Sequence, residues 1–273
     1  GSKVTVVEMT DDLLPGADRD LVAPLKRRLA GVFDGIHLKT AVRKVEAGKD
    51  ALMVTMDGAK RLSERAFSKI LVSIGRMPNS ESLGIVNTSA VVNDRGFIEA
   101  DHQQRTADSH IFAIGDVAGG GLAHQAAHQG KVAAEVLAGK PSSFGKTVPS
   151  VVFTNPEVAW VGLTETQAAE QKKRVEVAKF PWAASGRAMT LGRSDGLTKI
   201  IVEPVTNRVL GVGIVGPGAG ELIAEATLAV EMAATVEDIA EAIHPHPTLS
   251  ESVGIAAEIF EGTATDLYIP KKN

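Results

Sequence analysis

The chain has 273 residues, of which 44% are hydrophobic and 23% charged, a composition typical of a soluble globular protein. Its 29 basic and 33 acidic residues give a net charge of −4, and because no basic stripe is present, nucleic acid is not an expected partner. No apolar run reaches about 18 residues and no signal peptide is visible, so we expect no membrane helix and a cytoplasmic location. The absence of cysteine excludes disulfides, thiolate metal sites and a cysteine nucleophile within this chain.

Residues 1–80 alternate between strand and helix patterns. Short apolar runs bounded by turn residues indicate strands, and apolar residues that recur every three or four positions indicate a helix. Pro24 is expected in the first turn of that helix or at a kink, because proline cannot donate a helical hydrogen bond. The predicted elements are a buried strand over 3–8, a helix over 21–33, paired strands over 39–46 and 51–56 with a turn at Asp57-Gly58, and a covered strand over 69–74.

A second block covers residues 81–147. A short buried strand is predicted over 111–114, followed by a glycine-rich turn at 119–121. A helix is predicted from about Leu122 to Leu137, and a Gly-, Pro- and Ser-rich segment after it marks a domain boundary.

The third block, residues 148–273, interleaves strands with helices, which predicts a layered α/β or α+β unit. Capping boxes that begin at Thr164 and Thr235 each indicate the start of a helix. The other predicted elements are strands over 174–180, 197–203 and 208–215, a helix over 220–233, and a last helix that ends near Phe260.

The segment 244–251 carries the strongest signal of chemistry. It places His246 five residues ahead of Glu251, in a strip that two prolines stiffen. A carboxylate held against one imidazole nitrogen fixes the tautomer and makes the other nitrogen a better base. Glu251 also fits a capping box with Thr248 as N-cap, and the two roles are compatible because a carboxylate has two oxygens. A solvated histidine in a surface turn is the alternative.

Two predicted strands end in acids that suit nucleotide binding. Gly115 and Asp116 precede a glycine-rich turn, and ligands of α/β sheets settle beyond the carboxyl ends of strands. Asp116 suits ribityl or sugar hydroxyls; the alternative is a plain strand-to-helix turn. Glu8 suits the ribose hydroxyls of a dinucleotide, whose glycine-rich turn would precede residue 1; the alternative is a surface acid.

Three further motifs are less specific. His124 and His128 lie four residues apart, but no acidic third ligand is near them in sequence, so no metal site is expected. Residues 216–220 lack GxGxxG spacing and include a proline, which favours a structural turn over a phosphate loop. Trp182, in an aromatic-rich loop between two predicted strands, suits interface packing, with core filling as the alternative.

In this order, these segments resemble the dihydrolipoamide dehydrogenases, a group of FAD- and NAD-dependent disulfide oxidoreductases. The Gly-Asp strand end and the Gly-Arg-x-Pro-Asn motif are shared across many such flavoproteins. The tryptophan loop and the His-x-His-Pro-Thr-x-x-Glu motif are specific to the lipoamide enzymes. The resemblance spans essentially the whole chain and is carried by residues 4–8, 75–79, 106–116, 122–124, 156–162, 180–188 and 246–251.

The resemblance implies a homodimer whose C-terminal domain forms the subunit interface and sends its His–Glu pair into the partner's active site. His246 would take the thiol proton, and Glu251 would orient the imidazole of His246. Electrons would pass from dihydrolipoamide to a cysteine pair, then to FAD and NAD, and the lipoyl groups would belong to 2-oxo acid dehydrogenase complexes. The residues implied at the cofactors are Glu8 at the adenosine ribose of NAD, Asp116 at the FAD ribityl chain, Leu122, Ala123 and His124 near the flavin, and Gly75, Arg76 and Gly115 in the shared flavoprotein motifs.

Members of this family also have an N-terminal FAD domain with the redox cysteines, which this sequence lacks. We therefore expect a C-terminal fragment that is inactive by itself and that holds no metal. Its expected organisation is a partial Rossmann-like NAD-binding region over 1–80, a central FAD-contacting segment over 81–147, and an α+β interface domain over 148–273. Two alternatives stay open: a non-catalytic dimerisation or interaction module, and a related disulfide reductase that acts on glutathione.

Overall fold

The computed structural model describes residues 1–58 and 61–267. The chain divides into two compact units, one formed by Gly1–Ile70 with Thr147–Asn273 and the other by Leu71–Lys146. Helices and sheets are mixed in the way that the predicted α/β and α+β classes require. Within the described part of the chain, no helix combines the length and the apolar character needed to cross a lipid bilayer.

The first unit begins with a β-α-β arrangement. Strand β1 (Thr5–Val7) pairs in parallel with β2 (Gly35–His37), and helix α1 (Arg19–Ala30) connects them. The predicted strand and helix are therefore confirmed, although β1 is half-buried rather than buried. Pro24 lies in the second turn of α1, one turn later than expected, and its ring is buried.

An antiparallel sheet of three strands follows: β3 (Ala41–Ala47), β4 (Leu52–Gly58) and β5 (Arg61–Phe67). Its first two strands confirm the predicted pair. Asp57 and Gly58 belong to β4, so the turn predicted at these two residues is wrong. Strand β5 has no counterpart in the sequence prediction. Residues 63–66 are all exposed, so the sequence there lacks the alternation of apolar and polar residues that indicates a half-buried strand.

The predicted covered strand over residues 69–74 is wrong. The segment is neither strand nor helix, and Leu71 and Ile74 are 91% and 94% exposed. A continuous apolar run forms a strand where neighbouring strands and helices cover both of its faces. Among the described residues, no strand pairs with this segment, so its apolar character alone does not make it extended and buried.

The second unit, Leu71–Lys146, contains one long helix, α2 (Ala123–Leu137), which confirms the predicted helix. A 3₁₀ turn at Gly115–Ala118 precedes it. The predicted strand over 111–114 is wrong, because the only ladder contact described there is a single bridge between Arg105 and Phe112. Residues 104–113 reverse direction within a tight hairpin, which is too short to extend that bridge into a strand.

The C-terminal half of the first unit is built on one antiparallel sheet, in the spatial order β6-β7-β10-β9-β8. The three strands predicted after residue 173 and the capping boxes at Thr164 and Thr235 are confirmed. The first two strands and one short helix have no counterpart in the prediction. The elements in chain order are β6 (Ser150–Val152), β7 (Glu157–Gly162), α3 (Glu165–Glu170), β8 (Glu176–Pro181), α4 (Gly186–Thr190), β9 (Leu197–Val202), β10 (Val209–Gly216), α5 (Ala219–Glu231), α6 (Val236–Ala240) and α7 (Glu251–Glu261).

The main core lies between this sheet and helices α5, α6 and α7, and Trp182 is part of it. The indole is fully buried, and its Nε1 donates to Thr198 Oγ1 at 2.9 Å, which in turn contacts Ser252 Oγ at 2.8 Å. A Cβ at Gly216 would lie 2.2 Å from the indole, so only glycine leaves room for the ring. The alternative of core filling is therefore correct for Trp182, and the interface role is wrong.

A buried ion cluster ties the start of α1 to the C-terminal sheet. Lys199, on β9, is only 1% exposed, and its Nζ lies 2.6 Å from Asp18 Oδ2, 2.8 Å from Asp20 Oδ1 and 2.7 Å from Glu165 Oε1. Lys179 contacts Asp20 and Glu165 from the solvent side, where its side chain is 41% exposed. Three carboxylates and two ammonium groups thus form one network of ion pairs where α1, α3 and the sheet meet.

The buried ion cluster predicts how stability responds to acid. Burial by itself would raise the pKa of Asp18, but hydrogen bonds from Lys199 Nζ and from the N–H groups of Glu165 and Thr166 outweigh burial and lower this pKa from 3.8 to about 2. A depressed carboxyl pKa stabilises the fold above the unfolded value and ceases to do so as pH falls through the folded value.

We therefore expect Asp18 to contribute about 2 kcal/mol to the free energy of unfolding above pH 4 and to lose this contribution between pH 3.8 and about 2. Urea unfolding at a series of pH values, compared between the wild type and Asp18→Asn, measures the contribution. Equal pH dependence of the two proteins would contradict this assignment.

Candidate functional site

The structure brings His246 and Glu251 together. His246 Nδ1 lies 2.8 Å from Glu251 Oε1, so the predicted contact is present. The two side chains differ in exposure: His246 is 79% exposed, whereas Glu251 is 21% exposed. The acid is thus held at the protein surface while the far edge of the imidazole faces outward.

The local sequence positions Glu251 through its second oxygen. Glu251 Oε2 accepts a hydrogen bond from the Thr248 N–H at 2.7 Å, which leaves Oε1 for the histidine. The predicted capping box is only half present, because Thr248 Oγ1 donates to the Pro245 carbonyl instead of capping the helix. Helix α7 consequently begins at Glu251, with Ser250 as its N-cap.

The protonation of the pair follows from its contacts. Burial would raise the pKa of Glu251, but the Thr248 N–H and the His246 ring outweigh it and hold this pKa below its ordinary value. Glu251 is therefore a carboxylate at neutral pH, and a carboxylate only accepts hydrogen bonds. Nδ1 of His246 must then carry the proton, which leaves the exposed Nε2 as a base.

A second histidine–glutamate pair lies beside the first. His244 Nε2 is 2.7 Å from Glu225 Oε1, and the His244 side chain is only 11% exposed. The repeated His-Pro dipeptide singles out His244 in the sequence. Nothing in the sequence pairs it with Glu225, which lies on α5, so this contact depends on how α5 and the His-Pro strip pack.

In the second unit, the structure joins Arg76 to Asp116. Arg76 Nη1 is 3.2 Å from Asp116 Oδ2, and the two side chains are 80% and 54% exposed. Gly115 has a φ of +71°, which glycine adopts without strain, and its N–H donates to Gln129 Oε1 at 2.8 Å. Gly75 is exposed with a φ of +122°. The carboxylate of Asp116 is thus presented on a backbone that other groups fix in place.

The remaining predicted cofactor residues lie at the start of α2. Leu122 is the N-cap residue, Ala123 is the first residue of the helix, and His124 follows. Ala123 and His124 are exposed, whereas Leu122 is half-buried. The N–H groups of a first helical turn have no partners within the helix and favour electronegative oxygens.

Glu8 lies directly after β1, as predicted. Its Oε1 accepts hydrogen bonds from the Thr10 N–H at 2.7 Å and from Thr10 Oγ1 at 2.8 Å, and these contacts lower the Glu8 pKa. Glu8 is therefore an ionised acceptor at the carboxyl end of a parallel strand, the position at which dinucleotide-binding folds accept ribose hydroxyls.

No metal site is supported by the described residues. Within 1–58 and 61–267, the one group of three acids in ligating proximity is Asp18, Asp20 and Glu165, and the ammonium groups of Lys199 and Lys179 contact it. The residues 216–220 form a structural turn into α5, where Glu157 Oε2 accepts the Gly220 N–H at 2.9 Å.

Two family profiles match the chain, and both describe one family. Residues 1–130 match pyridine nucleotide-disulphide oxidoreductase, and residues 148–257 match the dimerisation domain of the same family. The chain therefore belongs to the pyridine nucleotide-disulphide oxidoreductases. Members of this family use FAD and NAD.

The curated relatives are dihydrolipoyl dehydrogenases. The chain is 51% identical to the enzyme of Vibrio cholerae over 98% of this chain and 57% of the relative, and 49% identical to that of Haemophilus influenzae over 98% and 56%. The chain thus spans little more than half the length of the curated relatives it matches.

Solved structures give the same fold. The chain superimposes on LpdA from Mycobacterium tuberculosis with a TM-score of 0.87 and 30% identity, over 94% of this chain and 56% of that one. The HOCl-induced flavoprotein disulfide reductase RclA from Escherichia coli matches with a TM-score of 0.84 and 29% identity, over 93% and 58%.

Proposed function

We propose that this chain is the C-terminal part of a cytoplasmic dihydrolipoyl dehydrogenase, which oxidises dihydrolipoyl groups and passes the electrons through a cysteine pair and FAD to NAD. The observation that carries the proposal is the His246–Glu251 pair, which presents a basic nitrogen at the surface of a dimerisation domain. The 51% identity to a dihydrolipoyl dehydrogenase supports lipoyl groups as the substrate.

His246 is the catalytic base in this proposal. The thiolate, not the thiol, is the nucleophile in thiol–disulfide exchange, so a base must take the proton of the dihydrolipoyl thiol. Nε2 of His246 receives it, and Glu251 stabilises the imidazolium that forms. Because this chain has no cysteine, the sulfur pair comes from residues outside it.

The exposed acids fit the cofactors of the family. The Asp116 carboxylate suits the ribityl hydroxyls of FAD. The start of α2, at Leu122, Ala123 and His124, suits a position near the flavin. Gly115 precedes Asp116 in sequence, Arg76 contacts it and Gly75 precedes Arg76, and these three residues would help to hold its carboxylate in place. The ionised Glu8 suits the adenosine ribose of NAD. When bound, the flavin and the nicotinamide carry the electron pair away from the sulfurs.

We also propose that the chain acts as a homodimer and that each His246 serves the sulfur pair of the partner subunit. The dimerisation domain carries large apolar side chains that are unusually exposed for one chain by itself: Phe153 (82%), Leu228 (63%), Met232 (71%) and Ile243 (99%). Ile243 directly precedes the His-Pro strip, which places apolar surface beside the base. In the cell, the lipoyl substrates would be those of 2-oxo acid dehydrogenase complexes.

The dimer is tested by the mass of the purified chain in solution. We expect light scattering to give a mass near twice 28.6 kDa, because association covers the exposed apolar side chains. Ile243→Asp should shift the protein toward the monomer, since it places a charge on that surface. A wild-type chain that stays monomeric at micromolar concentration would contradict the proposed interface.

The activity is tested by comparing the purified chain with the whole protein that contains it. We expect the whole protein, loaded with FAD, to reduce NAD with dihydrolipoamide and to be far slower with glutathione. The chain by itself should not turn over, because it has no cysteine. A whole protein that prefers glutathione would contradict the substrate, and one without either activity would favour an interaction module.

A further inference from the structure

The second pair, His244 and Glu225, is unexplained by the proposed chemistry. Its histidine is too buried to meet a substrate, because only 11% of the side chain is exposed, against 79% for His246. The 2.7 Å contact between His244 Nε2 and Glu225 Oε1 gives the largely buried ring a hydrogen-bond partner, as a buried polar group requires. Such a pair fixes the distance between the two elements that carry it.

The ring of His244 also fits against α7, the helix that carries Glu251. A Cβ at Gly254 would lie 2.7 Å from His244 Nδ1 and 2.9 Å from its Cε1, so the ring occupies the space that any other side chain would need. Gly254 lies three residues after Glu251, which puts both on neighbouring positions of one helical face. A glycine inside a helix costs about 0.5–1 kcal/mol relative to alanine, and the close approach of His244 accounts for it.

His244 therefore contacts two helices, α5 and α7, and α7 carries Glu251 of the first pair. It is hydrogen-bonded to α5 through Glu225, it packs on α7 at Gly254, and it precedes His246 by two residues in the same strip. His244 also lies close enough to influence Glu251: burial raises the pKa of Glu251, the Thr248 N–H and the His246 ring lower it, and His244 lowers it further.

We infer that His244, anchored by Glu225, is a positioning residue that sets the distance between the His246 imidazole and the Glu251 carboxylate. The inference rests on the proposed function and deepens it. Without the anchor, the His-Pro strip can shift relative to α7, and Nε2 of His246 then points away from the thiol that it must deprotonate. A displacement of about 1 Å at a reacting group can cost on the order of 100-fold in rate.

The test uses the whole enzyme with FAD and compares His244→Leu, Glu225→Ala and the double variant. Each single variant should lower kcat for dihydrolipoamide oxidation by about 10–100-fold with little change in KM for NAD. The double variant should be no slower than the slower single variant, because both changes remove one contact. Glu225→Gln, which keeps an oxygen for His244 Nε2, should restore most of the rate.

A second readout separates positioning from a general structural role. Reduction of ferricyanide by NADH needs no thiol proton, so it should be unchanged in all of these variants. Glu221→Ala, which removes an exposed carboxylate from the same helix one turn earlier, is the matched control and should be as active as the wild type. Gly254→Ala displaces the His244 ring without removing either partner and should also lower kcat.

Several outcomes would overturn the inference. Unchanged kcat in the two single variants would do so, as would a parallel loss of dihydrolipoamide and ferricyanide activity. If neither single variant folds, full activity of Gly254→Ala would overturn it. If the wild type is active and the His244 and Glu225 variants have the same kcat, only this inference is refuted. If the wild type does not oxidise dihydrolipoamide, the proposed function is refuted.

Discussion

Replacing His246 with glutamine is expected to lower NAD-dependent oxidation of dihydrolipoamide by about 10²–10⁴-fold in the whole enzyme. Glutamine has a similar reach but cannot take up a proton at neutral pH, so the thiol must lose its proton to water. The exposed Nε2 and the carboxylate 2.8 Å from Nδ1 make His246 the group whose loss matters most. Steady-state kinetics at saturating NAD measure the effect.

The companion variant Glu251→Gln should cost less than His246→Gln. The neutral amide keeps one acceptor oxygen, which can accept either the Thr248 N–H or the His246 Nδ1–H but not both, and it no longer stabilises the imidazolium. His110→Gln, the same change at another exposed histidine, should have no effect. An unchanged rate in His246→Gln would remove His246 from the mechanism, and a larger loss in Glu251→Gln would mean that the two roles are assigned wrongly.

Replacing Lys199 with methionine is expected to destabilise the chain by about 3–5 kcal/mol. Methionine fills a similar volume, but it leaves Asp18, Asp20 and Glu165 without the ammonium group that all three share. When one partner of a buried ion pair is removed, the remaining charges stay poorly solvated and uncompensated. The resulting loss of stability exceeds the net contribution of the intact pair. Because total stability is about 5–15 kcal/mol, such a loss would be a large part of it.

The free energy of unfolding in urea measures this loss. Lys179→Met is the matched control, because Lys179 contacts two of the same carboxylates but is 41% exposed, and it should cost no more than about 1 kcal/mol. Equal effects of the two substitutions would indicate that burial does not distinguish the two lysines, and the buried ion cluster would lose its proposed importance.

The sequence predicts those parts of the structure whose determinants are local. His246 and Glu251 are five residues apart, in a strip that prolines stiffen, so their contact follows from short-range geometry. The capping boxes at Thr164 and Thr235 are predictable for the same reason, because each depends on four consecutive residues.

The sequence does not predict contacts that depend on packing between distant segments. Lys199 lies within a predicted strand, and its sequence position gives no sign of its partners; the packing of α1 against the sheet brings the Asp18 carboxylate to it. Glu225 gives no signal of its partner His244 for the same reason. For the apolar run 69–74, the sequence predicts more structure than is present. Its composition predicts a covered strand, but among the described residues no strand pairs with it.

The first compact unit is assembled from two stretches of sequence that are far apart. Residues 1–70 meet residues 147–273 through the apolar face of α1, where Leu21 packs at Gly213 of β10, and through Lys199. Cleavage within 71–146 would therefore leave two peptides that already share a complementary surface. We expect them to stay bound to each other after such a nick, as halves of a split protein do, and to separate only when that surface is denatured.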